Sequence, residues 1–172
     1  MRILLRKPRI KYYIGKDALS HGIRMRAPQK GDVGYDLYSS RSVDFYHSRG
    51  TRYIPVVAVH TDIYVAIPKG YVGKIFDRSS VALDKNLIVL AGVIDPSYRG
   101  ELLIVFADIS FGHKCTTNIE LPIRTIPAKI KIAQMIVFGS GGLITSEPEI
   151  VDSIEDLGTT NRGNKGFGST GR

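Results

Sequence analysis

The 172-residue chain has a single cysteine, Cys115, so it cannot form an intrachain disulfide, and a reducing compartment is expected. Its four histidines are scattered without the spacing of metal ligands. Only three consecutive apolar residues occur near the start, too few for a signal peptide, and nowhere do about 18 apolar residues run together. These absences argue against a disulfide scaffold, a zinc site and a membrane span, and they predict a soluble intracellular, cytoplasmic protein.

Positive charge is concentrated at the start of the chain. Residues 1–30 hold nine Lys or Arg and one acid, Asp17, whereas residues 31–172 hold 15 Lys or Arg and 15 acids. Such a basic segment contacts nucleic acid or a protein, steers an anionic substrate, or is only solvated, which is the commonest case. A nucleic-acid-binding barrel is disfavoured, because the rest of the chain is neutral and its aromatic residues do not alternate with basic ones.

Short apolar or alternating runs bounded by Gly, Pro, Asp or Ser indicate β-strands. Between the first two runs, Pro68-Lys69-Gly70 predicts a tight turn that joins a hairpin. Only a turn or two of helix is expected, near residues 79–84, so the fold class is all-β, a sandwich or jelly roll in a single domain. The predicted runs are residues 56–67, 71–76, 87–94, 102–106 and 130–138.

The last 15 residues differ from the rest of the chain. Residues 158–172 are glycine-rich and too poor in apolar side chains to order alone, so we expect a body of residues 1–157 followed by a flexible arm. Residues 163–170 nearly match the phosphate-binding P-loop, but Ser169 stands where that pattern needs lysine. The arm still offers backbone amides, hydroxyls, Arg162 and Phe167, which suit a nucleoside triphosphate.

The most informative stretch is residues 91–100, Ala-Gly-Val-Ile-Asp-Pro-Ser-Tyr-Arg-Gly. An apolar strand delivers Asp95 and Tyr98 to a Pro-Ser turn, as a site needs to hold a base or sugar beside a general base. We interpret the stretch as an active-site hairpin.

Three further segments carry polar groups with two possible roles each. Asp36, in a tyrosine-flanked strand, is a site carboxylate or a surface acid of an edge strand. Arg78, followed by Ser79 and Ser80, marks a phosphate site or a salt bridge beside an N-capping serine. Gln134 is a functional amide in a core strand or a buried, hydrogen-bonded one.

These segments occur together and in order, and the sequence closely resembles the trimeric dUTPase family. The five motifs of that family are recognised at residues 34–39, 78–82, 92–100, 132–136 and 162–171, so the resemblance covers nearly the whole chain after residue 30. It implies a distorted jelly-roll (β-clip) subunit and a homotrimer with shared active sites, in which the arm reaches a neighbour's site. For a viral protein, the implied location becomes the host cytoplasm or nucleus.

The activity implied by the resemblance is hydrolysis of dUTP to dUMP and pyrophosphate, which keeps uracil out of DNA and supplies dUMP for thymidylate synthesis. Asp95 is then the base that activates the water attacking the α-phosphorus, and Tyr98 packs under the deoxyribose and rejects a 2′-hydroxyl. Asp36 acts through water on a magnesium ion, the implied cofactor. Phe167 stacks on uracil, and the arm closes over the nucleotide. The implied substrate-binding residues are Arg78, Ser79, Ser80, Gly92, Val93, Ile94, Tyr98, Gln134, Arg162, Gly166, Phe167, Gly168, Ser169 and Thr170.

Two positions depart from the family pattern. Asp77 stands before Arg78, where Pro or Gly is usual, and we expect it to compete with phosphate for that arginine or to replace a lost acid. That acid is lost because Ile130 and Lys131 replace the usual Asp-Arg pair, which removes an ion pair supporting the phosphate-binding arginine.

Two alternative functions remain. A dCTP deaminase resembles dUTPases in fold and shares the Ile-Asp-Pro of residues 94–96, but it needs a glutamate and an arginine where this chain has Val105 and Leu83. A binding or regulatory protein on the same scaffold would contact its partner through residues 1–30 and 38–53. The intact Asp95 favours catalysis.

Overall fold

A computed structural model describes residues 8–46, 54–109 and 124–166 of the chain. Most of its regular structure is β-strand, arranged in two larger sheets and a two-stranded ribbon. The first sheet contains β1 (Lys11–Ile14), β4 (Val56–Ala66), β6 (Leu87–Leu90), β8 (Glu101–Asp108) and β12 (Glu149–Ile150). The second contains β2 (Tyr35–Tyr38), β5 (Tyr71–Asp77), β7 (Val93–Ile94), β10 (Lys131–Gly139) and β11 (Gly142–Ile144). The ribbon pairs β3 (Val43–Phe45) with β9 (Arg124–Ile126).

The strands are almost all antiparallel. The first sheet has the order β12-β1-β4-β8-β6, and only its β1–β12 pair is parallel. The second has the order β11-β10-β5-β7, and β2 also pairs with β10. Between strands lie two short helices, α1 (Lys16–Ser20) and α2 (Ser79–Lys85), and a 3₁₀ turn at Glu155–Leu157.

Side chains from both sheets form one buried core. Val59 and Val65 of β4 and Ile104 of β8 are fully buried, as are Met135 and Val137 of β10. Alternation along each strand directs these residues inward and polar residues outward, as the period-2 pattern requires. The predicted all-β, single-domain fold is confirmed.

Two predictions about connectivity are wrong. The Pro68-Lys69-Gly70 turn forms, since the Tyr71 N–H donates to the Pro68 carbonyl at 3.1 Å, but the strands it joins, β4 and β5, lie in different sheets and are not a hairpin. The predicted single run at 87–94 is also divided, because Ala91 and Gly92 have φ angles of 61° and 114° and separate β6 from β7. Hydrophobic alternation predicts where strands are, but it does not identify their partners.

The described part of the basic N-terminal segment belongs to the fold. Strand β1 lies between β12 and β4, and Ile10, Tyr12 and Ile14 are buried in the core. Residues 8–14 are therefore not merely a solvated extension. Within the described part of the chain, no helix has the length and apolar character to cross a membrane.

Candidate active site

The segment of residues 93–100, here called the site turn, connects the two sheets. It leaves β7, which pairs with β5 in the second sheet, and enters β8, which pairs with β4 and β6 in the first. Residues 95–98 form a tight turn, in which the Tyr98 N–H donates to the Asp95 carbonyl at 3.0 Å. The expected active-site hairpin is thus wrong as a strand pairing, but the site turn does place the Asp95 carboxylate at the surface, 43% exposed.

Tyr98 is the fixed aromatic side chain of the site turn. It is buried, and its hydroxyl donates to the Glu101 carbonyl at 3.0 Å. Burial, reinforced by the Glu101 carboxylate and opposed by Arg162, raises the pKa of Tyr98 above its usual value. The phenol is therefore neutral near pH 7, and its ring is a rigid wall.

A small cavity of about 150 Å³ lies against this ring. Its lining contains six of the predicted binding residues: Gly92, Val93, Ile94, Tyr98, Arg162 and Gly166. The φ of +114° at Gly92 favours glycine, and the Gly92 carbonyl accepts the Ile75 N–H at 2.9 Å. The structure therefore brings together the predicted nucleoside-binding residues that it describes.

The first part of the arm is hydrogen-bonded to the site turn of the same chain. The Thr160 hydroxyl donates to the Ser97 carbonyl at 2.5 Å and accepts the Gly163 N–H at 3.0 Å. The Arg99 N–H donates to the Gly163 carbonyl at 2.8 Å, and its Nε donates to the Leu157 carbonyl at 2.9 Å. These bonds bring residues 160–163 alongside the turn that carries Asp95.

Arg162 extends from the arm over both candidate side chains of the site turn, Asp95 and Tyr98. Its guanidinium forms an ion pair with Asp95 and lies 5.5 Å from the centroid of the Tyr98 ring. Its Nε donates to the Lys165 carbonyl at 3.0 Å. The sequence predicted this arginine at the γ-phosphate, whereas here its ion-pair partner is the expected catalytic base.

A second, larger cavity of about 830 Å³ is lined by three of the residues predicted to hold phosphate and metal. Asp36, Arg78 and Gln134 line it, together with Lys131 and Arg26. The Asp36 carboxylate forms ion pairs with Arg78 through Oδ1 and with Lys131 through Oδ2, the latter at 2.8 Å. Gln134 Nε2 donates to a backbone carbonyl, that of Asp77, at 3.0 Å. The cavity is rich in fixed cations, which suits a polyanion.

Asp77 does not take the role expected for it. Its carboxylate accepts the Val89 N–H at 2.6 Å, which ties β5 to β6, while the carboxylate paired with Arg78 is that of Asp36. Arg78 therefore has an acidic partner other than Asp77. Arg78 is itself the N-cap residue of α2, so the N-capping-serine alternative is wrong, and Ser79 lies exposed on the first helical turn.

Most of the predicted site residues that the structure describes line one cavity or the other, whereas Asp95, Ser79 and Ser80 line neither. No residue is common to the linings of the two cavities in the part of the chain that the structure describes. Ser80, like Ser79, is exposed at the start of α2. Among the described ranges, no group of three or more His, Cys, Asp or Glu residues gathers to bind a metal. Four predicted residues lie outside the described residues: Phe167, Gly168, Ser169 and Thr170.

Sequence reasoning missed three residues that build the site. Arg99 and Thr160 connect the arm to the site turn, and Lys131 shares Asp36 with Arg78. Only a weak sequence feature indicates Arg99: it follows Tyr98 in a turn, where its side chain has several backbone carbonyls within reach. In the sequence, Lys131 stands out only as a departure from a family motif, and no pattern indicates Thr160.

The described chain is thus a two-sheet β-protein with a carboxylate and a tyrosine on one turn and a separate cationic cavity. A family model for dUTPase matches residues 22–171. The deoxyuridine 5′-triphosphate nucleotidohydrolase of Ehrlichia canis is 34% identical over 140 residues, 80% of each chain. The dUTPase of Staphylococcus bacteriophage 80alpha, solved with dUpNHpp, is 27% identical with a TM-score of 0.57 and covers 95% of this chain and 98% of its own. A variant of the phage phi11 dUTPase, solved to show how a structural Mg(II) ion is coordinated, is 23% identical with a TM-score of 0.61, over 85% of this chain and 98% of its own.

The chain belongs to the dUTPase family. The predicted family and enzyme class, dUTP diphosphatase, are thereby confirmed. The deaminase alternative is also disfavoured by position: Leu83 is 79% exposed on α2, Val105 lines the small cavity, and neither side chain can transfer a proton.

Proposed function

We propose that this chain hydrolyses dUTP to dUMP and pyrophosphate, with Asp95 as the base that activates the attacking water. The observation that carries the proposal is the site turn, which holds a partly exposed carboxylate three residues from a buried, neutral tyrosine. A carboxylate is ionised near pH 7 and accepts a proton from water within hydrogen-bonding reach. The arrangement suits attack on a phosphorus beside a bound deoxyribose.

The small cavity is proposed as the nucleoside pocket. Tyr98 is immobilised by its hydrogen bond to the Glu101 carbonyl, so its ring forms a wall that does not yield to a 2′-hydroxyl. The backbone of residues 92–94 offers amides and carbonyls for the edge of uracil, while its side chains are apolar. The discrimination between dUTP and UTP follows from shape and from the cost of burying an unpaired hydroxyl.

The large cavity is proposed as the triphosphate pocket. Arg78 would provide a planar fork of donors for phosphate oxygens, and Gln134 would add a neutral donor from the cavity lining. Ser79 and Ser80, exposed next to Arg78 at the start of α2, would add hydroxyls from outside that lining. Magnesium would neutralise charge on the triphosphate, and Asp36 would hold it through water. This fits the donor set, because magnesium usually keeps several waters and takes few protein ligands, and a carboxylate has spare lone pairs beyond its two ion pairs.

The two cavities are proposed to meet between subunits of a homotrimer. Each cavity offers only part of what the reaction needs: the nucleoside wall lines the small one, beside the site turn that carries Asp95, and the phosphate ligands line the large one. A second copy of the chain would supply the missing half, and Phe167, Gly168, Ser169 and Thr170 of an arm would close the site. Arg162 would leave Asp95 for the γ-phosphate when the nucleotide arrives, which would free the base at the moment it is needed. Closure of this kind also excludes competing water.

The test is pyrophosphate release by the full-length protein from dUTP, dCTP, dTTP and UTP, measured side by side with magnesium present. We expect turnover of dUTP alone to be efficient, with kcat/KM for UTP lower by about a hundredfold or more. Ammonia release from dCTP would contradict the proposal, and so would equal turnover of all four nucleotides. Sedimentation of the same sample tests the trimer: a monomer with full activity would contradict sites shared between subunits.

A further inference from the structure

One carboxylate in the large cavity is shared by two cations. Asp36 holds Arg78 on one oxygen and the Lys131 ammonium on the other, at 2.8 Å. All three side chains are partly exposed, between 28% and 42%, so solvent and a ligand both reach them. Lys131 stands where the family usually has the arginine of an Asp-Arg pair.

The sheet geometry explains why Lys131 reaches Asp36. In the β2–β10 pair, Asp36 faces Gln134 and Tyr38 faces Lys131, and the register shifts at a bulge between Lys131 and Ala133. The ammonium also lies 5.9 Å from the centroid of the Tyr38 ring. The hydrogen bond to Asp36 raises the pKa of Lys131, so the side chain remains charged. A bulge often redirects a side chain in this way.

Arg78 has two competing partners if the large cavity binds a triphosphate. Its guanidinium pairs with Asp36 here, and a phosphate would require the same donors. Without Lys131, a move of Arg78 to the phosphates would leave Asp36 facing the incoming polyanion with no protein cation beside it, which is electrostatically unfavourable.

We infer that Lys131 is a positioning residue: it keeps Asp36 neutralised while Arg78 moves from the carboxylate to the phosphates. The inference rests on the proposed function, because it assumes that the large cavity binds the triphosphate of dUTP. The alternative is that Lys131 contacts phosphate directly.

The experiment measures the dissociation constant of a non-hydrolysable dUTP analogue, with NH in place of the α,β-bridging oxygen, by calorimetry on the full-length protein with magnesium. For Lys131→Gln we expect an increase of about fivefold to tenfold. Lys131→Arg should restore affinity to within about twofold of wild type. The matched control is Lys129→Gln, which removes the same charge from the lining of the same cavity, and we expect it to cost less than about twofold.

The Asp36→Asn background separates positioning from direct contact. If Lys131 acts through Asp36, adding Lys131→Gln to Asp36→Asn should change the dissociation constant by less than about twofold, because the group it neutralises is gone. A full loss in that background would show direct phosphate contact and overturn the inference. Equal losses for Lys129→Gln and Lys131→Gln, or no loss for Lys131→Gln, would overturn it as well. Wild-type protein that does not bind the analogue would overturn the proposed function itself, a result distinct from all of these.

Discussion

The two halves of the site are built in different ways. The small cavity is formed by a turn between two sheets, and it is held by backbone hydrogen bonds such as that from Arg99 to Gly163 and by the buried Tyr98 ring. The large cavity is formed by side chains of neighbouring strands, and ion pairs centred on Asp36 organise it. We expect shape to select the nucleoside in the small cavity and charge to select the phosphates in the large one, so the two cavities should respond to different perturbations.

Salt and substitution separate these responses. Partly exposed ion pairs are screened at high ionic strength, whereas a packed ring and backbone hydrogen bonds are nearly indifferent to salt. Binding of a triphosphate should therefore weaken with salt through the large cavity, while recognition of the nucleoside through the small cavity should persist. The variants below test that division, beginning with the largest expected effect.

Asp95→Asn should remove catalysis and leave binding. Asparagine keeps the shape of the side chain but cannot accept a proton from water, so kcat should fall by about a hundredfold to ten-thousandfold. The dissociation constant of the non-hydrolysable analogue should remain within about threefold of wild type. Pyrophosphate release and calorimetry are the measurements, and Asp152→Asn, at an exposed acid beyond β12, is the control. Turnover within about tenfold of wild type would remove Asp95 from the catalytic role.

Arg78→Gln should weaken phosphate binding at the large cavity and leave nucleoside binding at the small cavity unchanged. A charge-assisted hydrogen bond is worth about 1.5 to 3 kcal/mol, so affinity for the triphosphate analogue should fall by about tenfold to a hundredfold. Deoxyuridine, which carries no phosphate, should bind as it does to wild type. Calorimetry with both ligands checks this, and Arg41→Gln, an exposed arginine outside both cavities, serves as the control. Equal losses for the two ligands would mean that the halves are not separate.

Thr160→Val should weaken the attachment of the arm to the site turn. The substitution removes the bond from the Thr160 hydroxyl to the Ser97 carbonyl and the bond it accepts from the Gly163 N–H. Each is worth about 1 kcal/mol, and closure recovers part of the loss, so kcat/KM should fall by about fivefold. Trypsin should cut after Arg162 more rapidly. The adjacent Thr159→Val, at an exposed position, is the matched control, and an identical effect there would contradict a specific role for Thr160.

The sequence was sufficient to locate most of the longer strands and to nominate candidate site residues, whose roles remain predictions. Alternation located β4, β5, β8 and β10 to within a few residues, because a half-buried strand imposes a period of two. The motif residues were identifiable because their chemistry is local: a carboxylate in a Pro-Ser turn, or an arginine at the end of a strand. Both kinds of information are present within a few neighbouring residues.

What could not be predicted depends on contacts distant in sequence. Whether β7 pairs with β8 or with β5 is decided by packing of whole sheets, so the site turn was mistaken for a hairpin. The sequence suggests the adjacent Asp77 as the ion-pair partner of Arg78, but in the fold the partner is Asp36, 42 residues away. Similarly, Arg162 reaches Asp95 across 67 residues. Ion pairs across such separations leave no pattern in a single sequence.

Tyr35→Phe should leave both cavities intact and change only the free energy of unfolding of the protein. Tyr35 lies beside Asp36 on β2, is fully buried, and donates its hydroxyl to the Ser146 carbonyl at 2.8 Å. Burial raises the pKa of Tyr35 to about 12, from 10.0. Below pH 10 the folded and unfolded states both keep the proton, so this contribution to stability is complete there. Between pH 10 and about 12 the unfolded state loses it first, and the free energy of unfolding should fall by about 3 kcal/mol at most from this residue.

The variant lacks that dependence but also lacks the hydrogen bond to Ser146. It should therefore be about 1 kcal/mol less stable than wild type at pH 7, and the two stabilities should converge and then cross as the pH approaches 12. Urea unfolding from pH 7 to pH 12 measures both curves, with Tyr13→Phe at a half-buried position of β1 as the control. Parallel curves for wild type and Tyr35→Phe would show that the phenol is not the group responsible. Because the hydroxyl faces the Ser146 carbonyl and not the large cavity, kcat/KM for dUTP at pH 7 should change by less than about twofold. A larger loss would mean that the large cavity depends on the hydrogen bond between Tyr35 of β2 and Ser146 as well as on its ion pairs.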